Sequence, residues 1–426
     1  MCIRDRDKIV VKGGKKLKGE VNINTAKNSV LPIIAGSILA TDGVLINELP
    51  MLQDVFTICN VMEQLGYDLK IDKKENKLIV PPLNKDPLIP SEDLVKKMRA
   101  SFLIMGPMIA KYGEFKLARP GGCNIGSRPI ELHLKGLRAL GAEDSNCGNG
   151  FVCIKAKKLT GSKIYLDFPS VGATENIMMA ATMAKGTTVI ENAAQEPEIT
   201  DLINFLNSMG AKIYIEKPGK IIIEGVDSLT STEYTPIYDR IEAGTFMVAA
   251  AITGSEIKIN GVNKDHCSAI ISKLKEAGTE FFDVHNDENS IIVKGNEEIK
   301  PINIKTMPYP GYPTDMQSQM MSLLSIAKGS SIITESVFEN RFMNVDELRR
   351  MGANIQVEGR TALIEGVDNL TGCEVKATDL RAGAALILAG LVAKGETIVT
   401  DIYHIDRGYV EIENKFRALG ADISRI

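Results

Sequence analysis

The 426-residue chain has no tryptophan, and aromatic residues make up only 5% of it. A groove for single-stranded nucleic acid needs stacking aromatics along a basic track. The net charge is −4 and no basic tract occurs, so neither nucleic acid nor an anionic membrane surface is an expected partner. No apolar run approaches the ~20 residues of a membrane span. The opening "MCIRDRDK" is charged where an export signal carries its apolar core, so no signal is expected, and residues 1–6 fit no later pattern. Histidine is scarce, and the seven cysteines (Cys2, Cys59, Cys123, Cys147, Cys153, Cys267, Cys373) are scattered without a C-x-x-C or Cys/His cluster. That argues against a structural zinc site, and neither metal nor cofactor is expected. An odd number of scattered thiols fits a reducing cytoplasm, and a monomer or weak homo-oligomer is expected there.

What is present is an ordinary globular balance, 44% hydrophobic and 24% charged, in a chain long enough for two domains. A small apolar helix followed by Gly and a β-rich run recurs at Gly43, Gly113, Gly186, Gly254, Gly329 and Gly395, at spacings of 66 to 75 residues. A second marker, as in "LRALGAEDSN" and "LRRMGANIQV", keeps step at Gly66, Gly141, Gly210, Gly278, Gly352 and Gly420. Both markers read as helix C-termini, where glycine takes the left-handed conformation. Leu202, Phe205, Leu206 and Met209 give the second helix of one repeat a single apolar face. The stretch that follows, "AKIYIEKPGKIIIEG", reads as two strands about a Pro-Gly turn. One repeat is therefore helix, strand, helix and strand pair, and six repeats predict two α/β halves of three repeats each. "DKIVVKGGKKLKGEVNI" reads as a strand hairpin that completes the C-terminal half. The expected domains are residues 1–26 plus 235–426, and residues 27–234.

The starts of the first helices are unusual. Thr314 with Gln317, and Asp239 with Glu242, have capping-box spacing. Lys27, Arg99 and Arg381 stand at three equivalent starts, where dipole complementarity favours acids. Three cations there suit anion binding, since helix N-termini also offer free N–H groups to phosphate. Each alone also fits a solvated surface. Arg128, Arg341 and Arg407 precede second helices. Asp315 is an acid among these cations, and either a routine cap or a ligand-facing role fits it.

Arg119 to Pro129 reads "RPGGCNIGSRP", a loop by its glycines and prolines, with Cys123 set between two arginines. Such a thiol should have its pKa drawn down from ~8.5 toward neutrality, where it can give and take a proton. Glycines on both sides would let the loop close and expel water.

Together with "AKNSVLP", "KKMRAS", "SVGATENIM", "PEITD", "PTDMQ", "VFENRFMNV", "TDLRAGAALILAG" and "YHIDRGY", this loop resembles the UDP-N-acetylglucosamine enolpyruvyl transferases, or 1-carboxyvinyltransferases, from about Asp7 to the end. The resemblance implies two inside-out α/β barrels of three repeats each. It also implies transfer of the enolpyruvyl group of phosphoenolpyruvate to the sugar 3′-hydroxyl, in the first committed step of peptidoglycan synthesis. By the same resemblance Lys27 and Asn28 hold phosphoenolpyruvate, Arg128 and Arg407 bind its phosphate and carboxylate, and Arg99 and Arg381 add positive charge. Cys123 is implied as proton donor to the methylene and Asp315 as the acid facing the sugar hydroxyl. Arg128, Pro129, Ile130, Glu131 and Leu132, then Phe168, Pro169, Ser170 and Val171, and Val337 match nucleotide-sugar contacts. Gln53 and Phe168 stand where relatives carry Lys, which bears on the diphosphate and uridine contacts. Two alternatives are a sister enzyme making 5-enolpyruvylshikimate 3-phosphate and a catalytically silent nucleotide-sugar binder. The "GNAGT" signature of the first is absent. Lys27, Cys123, Asp315 and Arg407 together argue against the second.

Overall fold

The computed structural model describes residues 7–83, 86–88, 99–118, 130–145 and 151–426. They fall into two compact units. One joins the N-terminal residues up to Asn24 to Tyr238–Ile426, and the other holds the described residues from Thr25 to Ile237.

In the first unit three helices, Arg240–Thr253, Gln317–Leu324 and Leu380–Val392, pack on one another. Every residue of the first two is buried. Sequences such as "LRAGAALILAGLV" have no polar face, so these helices must be covered on all sides. Glycine lets the 3-10 turn Ile402–Arg407 approach the third helix: a Cβ on Gly383 would sit 2.4 Å from the Ile405 side chain.

Each central helix packs on its own four-stranded sheet. The sheets share one plan. Glu20–Asn22 runs parallel to Glu256–Asn260, which pairs antiparallel with Asp287–Lys294, and Glu280–Val284 closes the set. Ile304–Lys305, Ser330–Thr334, Thr361–Glu365 and Asn354–Glu358 repeat it. The second helices are amphipathic, and Ser268–Glu276 buries Ile270 and Leu274. Helices inside and sheets outside make this unit an inside-out α/β barrel.

The second unit follows the same plan. Lys27–Gly36, Met105–Tyr112 and Val171–Ala181 are its central helices, the 3-10 turn Arg99–Ile104 packs against the first and last, and its described strands form two four-stranded sheets and one of three. Among the described residues of the chain, no helix is long and apolar enough to cross a membrane.

The glycine markers divide. All six of the second set, Gly66, Gly141, Gly210, Gly278, Gly352 and Gly420, have positive φ where an amphipathic helix ends. Of the first set only Gly113 and Gly254 cap a helix in this way. Gly186, Gly329 and Gly395 take positive φ later, in the turn entering the next strand, and Gly43 does not take it. The other four central helices end before their glycine, and a short turn then carries the chain to the outer sheet.

The N-terminal segment is not the hairpin its sequence suggests. Ile9–Lys12 lies between Glu396–Thr400 and Asp422–Arg425, antiparallel to both, whereas Glu20–Asn22 joins a different sheet. Each strand fills the place that a neighbouring repeat leaves open. Gly13 makes the departure possible, since a Cβ there would lie 2.3 Å from the Ala393 carbonyl oxygen.

Candidate active site

Asp315 sits in the 3-10 turn Thr314–Met316, which leads into the buried helix Gln317–Leu324. Arg341 Nη2 donates to its Oδ1 at 2.8 Å, and Arg381 Nη2 donates to its Oδ2 at 2.9 Å. Both arginine side chains are only 3% exposed, while Asp315 keeps 27% of its side-chain surface open. Burial alone would push the Asp315 carboxyl up. The charges of Arg381 and Arg341, with their hydrogen bonds, outweigh it and hold the group well below the usual carboxylate range.

The capping-box expectation fails at this turn, because the side chain of Thr314 is turned to Glu335 and gives no cap to the helix. Asp315 is not a cap either, since guanidinium donors hold both of its oxygens. At the other box Asp239 caps its helix through Ile241 N and Glu242 N. Glu242 instead accepts from Asn24 N at 2.8 Å and from Lys415 Nζ at 2.6 Å. In both places a tertiary partner, an acceptor for Thr314 and donors for Glu242, outcompetes the local one.

Arg381 opens the helix Leu380–Val392 against the helix dipole. Asp379 offsets this as N-cap, accepting from Arg381 N at 2.7 Å and Ala382 N at 3.0 Å. The ring of Tyr409 lies 5.6 Å from the Arg381 guanidinium, a cation–π contact. Arg407 ends the 3-10 turn Ile402–Arg407, which packs on the Arg381 helix, and is half-buried. Burial and then the nearby Arg407 charge lower the pKa of His404 in the same turn. Val337 follows the strand Ser330–Thr334 and is half-buried. Asp315, Arg341 and Arg381 therefore form one cluster in this unit, with the Arg407 turn packed on the helix that carries Arg381.

In the other unit Lys27 begins the helix Lys27–Gly36, whose N-cap Ala26 supplies no side-chain acceptor. Its ammonium lies 2.8 Å from the carboxylate of Asp54, and both side chains are largely buried. A solvated surface cation is thus excluded at Lys27. Asp54 was legible only as a routine first-turn acid of the helix Gln53–Leu65, next to the flagged Gln53. Asn28 is half-buried beside Lys27. Ile130 is the N-cap of Glu131–Ala139; Glu131 is exposed and Leu132 half-buried. Ser170 caps Val171–Ala181 by accepting from Ala173 N at 3.4 Å, and Pro169 and Val171 are half-buried beside it. Phe168 is 44% exposed and its carbonyl accepts from Ser170 N at 2.7 Å. These two helix starts adjoin each other, since a Cβ on Gly172 would lie 3.2 Å from the His133 ring. Arg99 opens the 3-10 turn Arg99–Ile104. Cys123, Arg128 and Pro129 lie outside the described residues, as does Arg119.

Among described cysteines Cys59, Cys267 and Cys373 are free thiols and Cys153 is disulfide-bonded, an exception to thiols kept reduced throughout. Burial first and then Glu63 push the Cys59 thiol up to about 12, which leaves it unreactive.

A family model for EPSP synthase (3-phosphoshikimate 1-carboxyvinyltransferase) matches residues 11–416. UDP-N-acetylglucosamine 1-carboxyvinyltransferase 2 of Clostridium tetani is 62% identical over 420 residues, covering 99% of this chain and 100% of the relative. UDP-N-acetylglucosamine 1-carboxyvinyltransferase 1 of Clostridium acetobutylicum is 58% identical with the same coverage. The chain belongs to the UDP-N-acetylglucosamine 1-carboxyvinyltransferase family. The crystal structure of the enolpyruvyl transferase NikO from Streptomyces tendae matches with a TM-score of 0.88 at 24% identity, over 98% of each chain. EPSP synthase from Acinetobacter baumannii matches with a TM-score of 0.77 at 19% identity, over 99% of this chain and 100% of that one. At these identities the two structures establish the fold, and the two clostridial relatives establish the family.

Proposed function

We propose that this chain transfers the enolpyruvyl group of phosphoenolpyruvate to the 3′-hydroxyl of UDP-N-acetylglucosamine and releases phosphate, the first committed step of peptidoglycan synthesis. The observation that carries the chemistry is Asp315, a partly open carboxylate held ionised between two buried guanidiniums. In the resting protein the arginines hold it too acidic to be a strong base. Each guanidinium has five N–H donors, so an incoming phosphate or carboxylate competes for them and weakens their hold. The Asp315 carboxyl then rises toward a range where it can take the hydroxyl proton.

The Cys123 thiol delivers a proton to C3 of phosphoenolpyruvate and C2 becomes cationic. The sugar 3′-oxygen bonds to C2 while its proton passes to Asp315. The tetrahedral intermediate returns a C3 proton to the Cys123 thiolate and expels phosphate, which carries off the proton held by Asp315, re-forming the carbon–carbon double bond and the Asp315 carboxylate. Lys27 and Asn28 hold phosphoenolpyruvate, Arg128 and Arg407 its phosphate and carboxylate, and Arg99 and Arg381 add charge. Residues Arg128 to Leu132, Phe168 to Val171, and Val337 hold the nucleotide sugar. The reaction takes place in the cytoplasm, on these two small molecules, in a monomer or weak homo-oligomer.

The family model also carries the name of the shikimate enzyme, so the test includes that acceptor. Phosphate release from phosphoenolpyruvate is measured with UDP-N-acetylglucosamine, with shikimate 3-phosphate, and with neither. Release only with the nucleotide sugar is expected. Release with shikimate 3-phosphate alone, or with no acceptor at all, would overturn the assignment.

A further inference from the structure

Glu335 is the first residue past the strand Ser330–Thr334, and it is 1% exposed. A carboxylate can only accept hydrogen bonds, and four donors converge on this one. Oε1 accepts from Thr306 Oγ1 at 2.8 Å, from Val337 N at 2.8 Å and from Phe338 N at 3.1 Å. Oε2 accepts from Thr314 Oγ1 at 2.8 Å. The two oxygens thus serve three segments, with Oε1 on Thr306 and the Val337 turn and Oε2 on Thr314. One fixes the turn that carries Val337 and continues to Arg341. The other fixes the residue immediately before Asp315. The backbone around Glu335 is tied down as well, since Glu335 N donates to the Arg360 carbonyl at 2.8 Å and Ser336 N to Thr306 Oγ1 at 3.0 Å.

We infer that Glu335 is a positioning residue for the transfer reaction, setting Asp315 through Thr314 and the nucleotide-sugar contact through the Val337 turn. Asp315 sits in a single 3-10 turn, which has few internal hydrogen bonds to define it. Its two arginines come from other segments, 26 and 66 residues away along the chain. Thr314 gives the turn a fixed point against the strand that also leads to one of those arginines. The carboxylate of Asp315 and the guanidinium of Arg341 are then located by the same buried side chain.

The inference rests on the function proposed above, and the test separates the two. The two arms predict different kinetics. Thr314→Val removes only the donor to Oε2, so kcat should fall ~10–100-fold, the scale of a displacement of about 1 Å at a reacting group. KM for UDP-N-acetylglucosamine should stay within about twofold, because the Val337 turn is untouched. Thr314→Ser keeps the donor and should restore most of kcat. Glu335→Gln offers an amide nitrogen that cannot accept, so one arm loses its acceptor while the volume is conserved. It should lower kcat and raise KM for the nucleotide sugar together, with cooperative unfolding retained in a thermal scan. If Thr314→Val turns over like wild type, or if Thr314→Ser is as impaired as Thr314→Val, the positioning role is wrong. If wild type itself releases no phosphate with the nucleotide sugar, the functional assignment falls, and the inference with it.

Discussion

At the scale of single residues the first unit shows how an acid is kept ionised although largely enclosed. Two guanidiniums supply the opposing charge, and removing the acid's ionisation should remove its chemistry. Asp315→Asn keeps the shape of the side chain but cannot accept a proton. Turnover should fall ~10²–10⁴-fold, the usual range for lost general acid–base help, with nucleotide-sugar binding by calorimetry largely retained. Turnover near wild type would reduce Asp315 to an anchor for its arginines. Glu175 shows the opposite regime. It lies in the buried helix Val171–Ala181, where burial first, then Glu198 and Glu196, raises its pKa well above the ordinary value. The folded chain therefore keeps a proton that the unfolded chain gives up. The stability this contributes is full below the unfolded pKa and is lost as pH rises toward the folded one, by up to about 1.4 kcal/mol per pH unit. Glu175→Gln carries no such proton, so its gain in melting temperature over wild type should be larger at pH 8 than at pH 5. An equal or smaller gain at pH 8 would mean that Glu175 ionises in the folded protein.

At the scale of elements, the second unit depends on how closely its central helices meet. Gly106 in the helix Met105–Tyr112 faces Asn176 in Val171–Ala181, and a Cβ on it would lie 2.2 Å from the Asn176 carbonyl oxygen. Asn176 Oδ1 accepts from Gly106 N at 2.6 Å, while its amide nitrogen reaches the Phe102 carbonyl at 3.1 Å and His133 Nδ1 at 3.0 Å. One side chain thus joins three helix starts, including those that carry Ile130 to Leu132 and Ser170 to Val171. Gly106→Ala must push backbone away from backbone, where no side chain can yield. A loss of about 1–3 kcal/mol is expected, the range for overpacking a close contact. For a unit of this size that corresponds to about 2–4 °C of melting temperature per kcal/mol. An unchanged melting temperature would show that the helices have room to separate.

At the scale of the whole molecule, the strand Ile9–Lys12 is a central member of a sheet whose other members lie near the C-terminus. Ile9 and Val11 are fully buried, and each should contribute about 1.5–3 kcal/mol. Deleting the chain through Lys12 would also leave Glu396–Thr400 and Asp422–Arg425 with unpaired edges. The shortened protein should unfold at a much lower temperature, and a synthetic peptide of residues 7–14 added in trans should recover part of the loss. A truncated chain that melts like the full one would show that the strand is dispensable.

The sequence by itself determined the repeat, the fold class and the family. The repeat and the fold class depend on periodic features that any stretch displays locally: a small apolar helix, an amphipathic helix ending in glycine, and an alternating strand pair. The family was carried by the resemblance of local motifs such as "RPGGCNIGSRP" and "PTDMQ". The amphipathic helix ends were legible because a left-handed residue after a helix leaves its glycine in place, as at Gly66 and Gly420. The buried helix ends were not, because four of the central helices end before their glycine, and Gly43 was misplaced for that reason. Tertiary structure alone decided the partners of the site's charges. Asp315 fitted either a routine cap or a ligand-facing acid until two arginines from distant segments took both its oxygens. Lys27 read as an anion-binding cation that alone also fitted a solvated surface, and only the fold brought Asp54 to it in a buried pair. Glu335 carried no signal, since an acid after a strand is ordinary and only the folded chain brings Thr306, Thr314 and the Val337 turn to its two oxygens. Periodicity is written in neighbours along the chain, whereas a charge finds its partner through space.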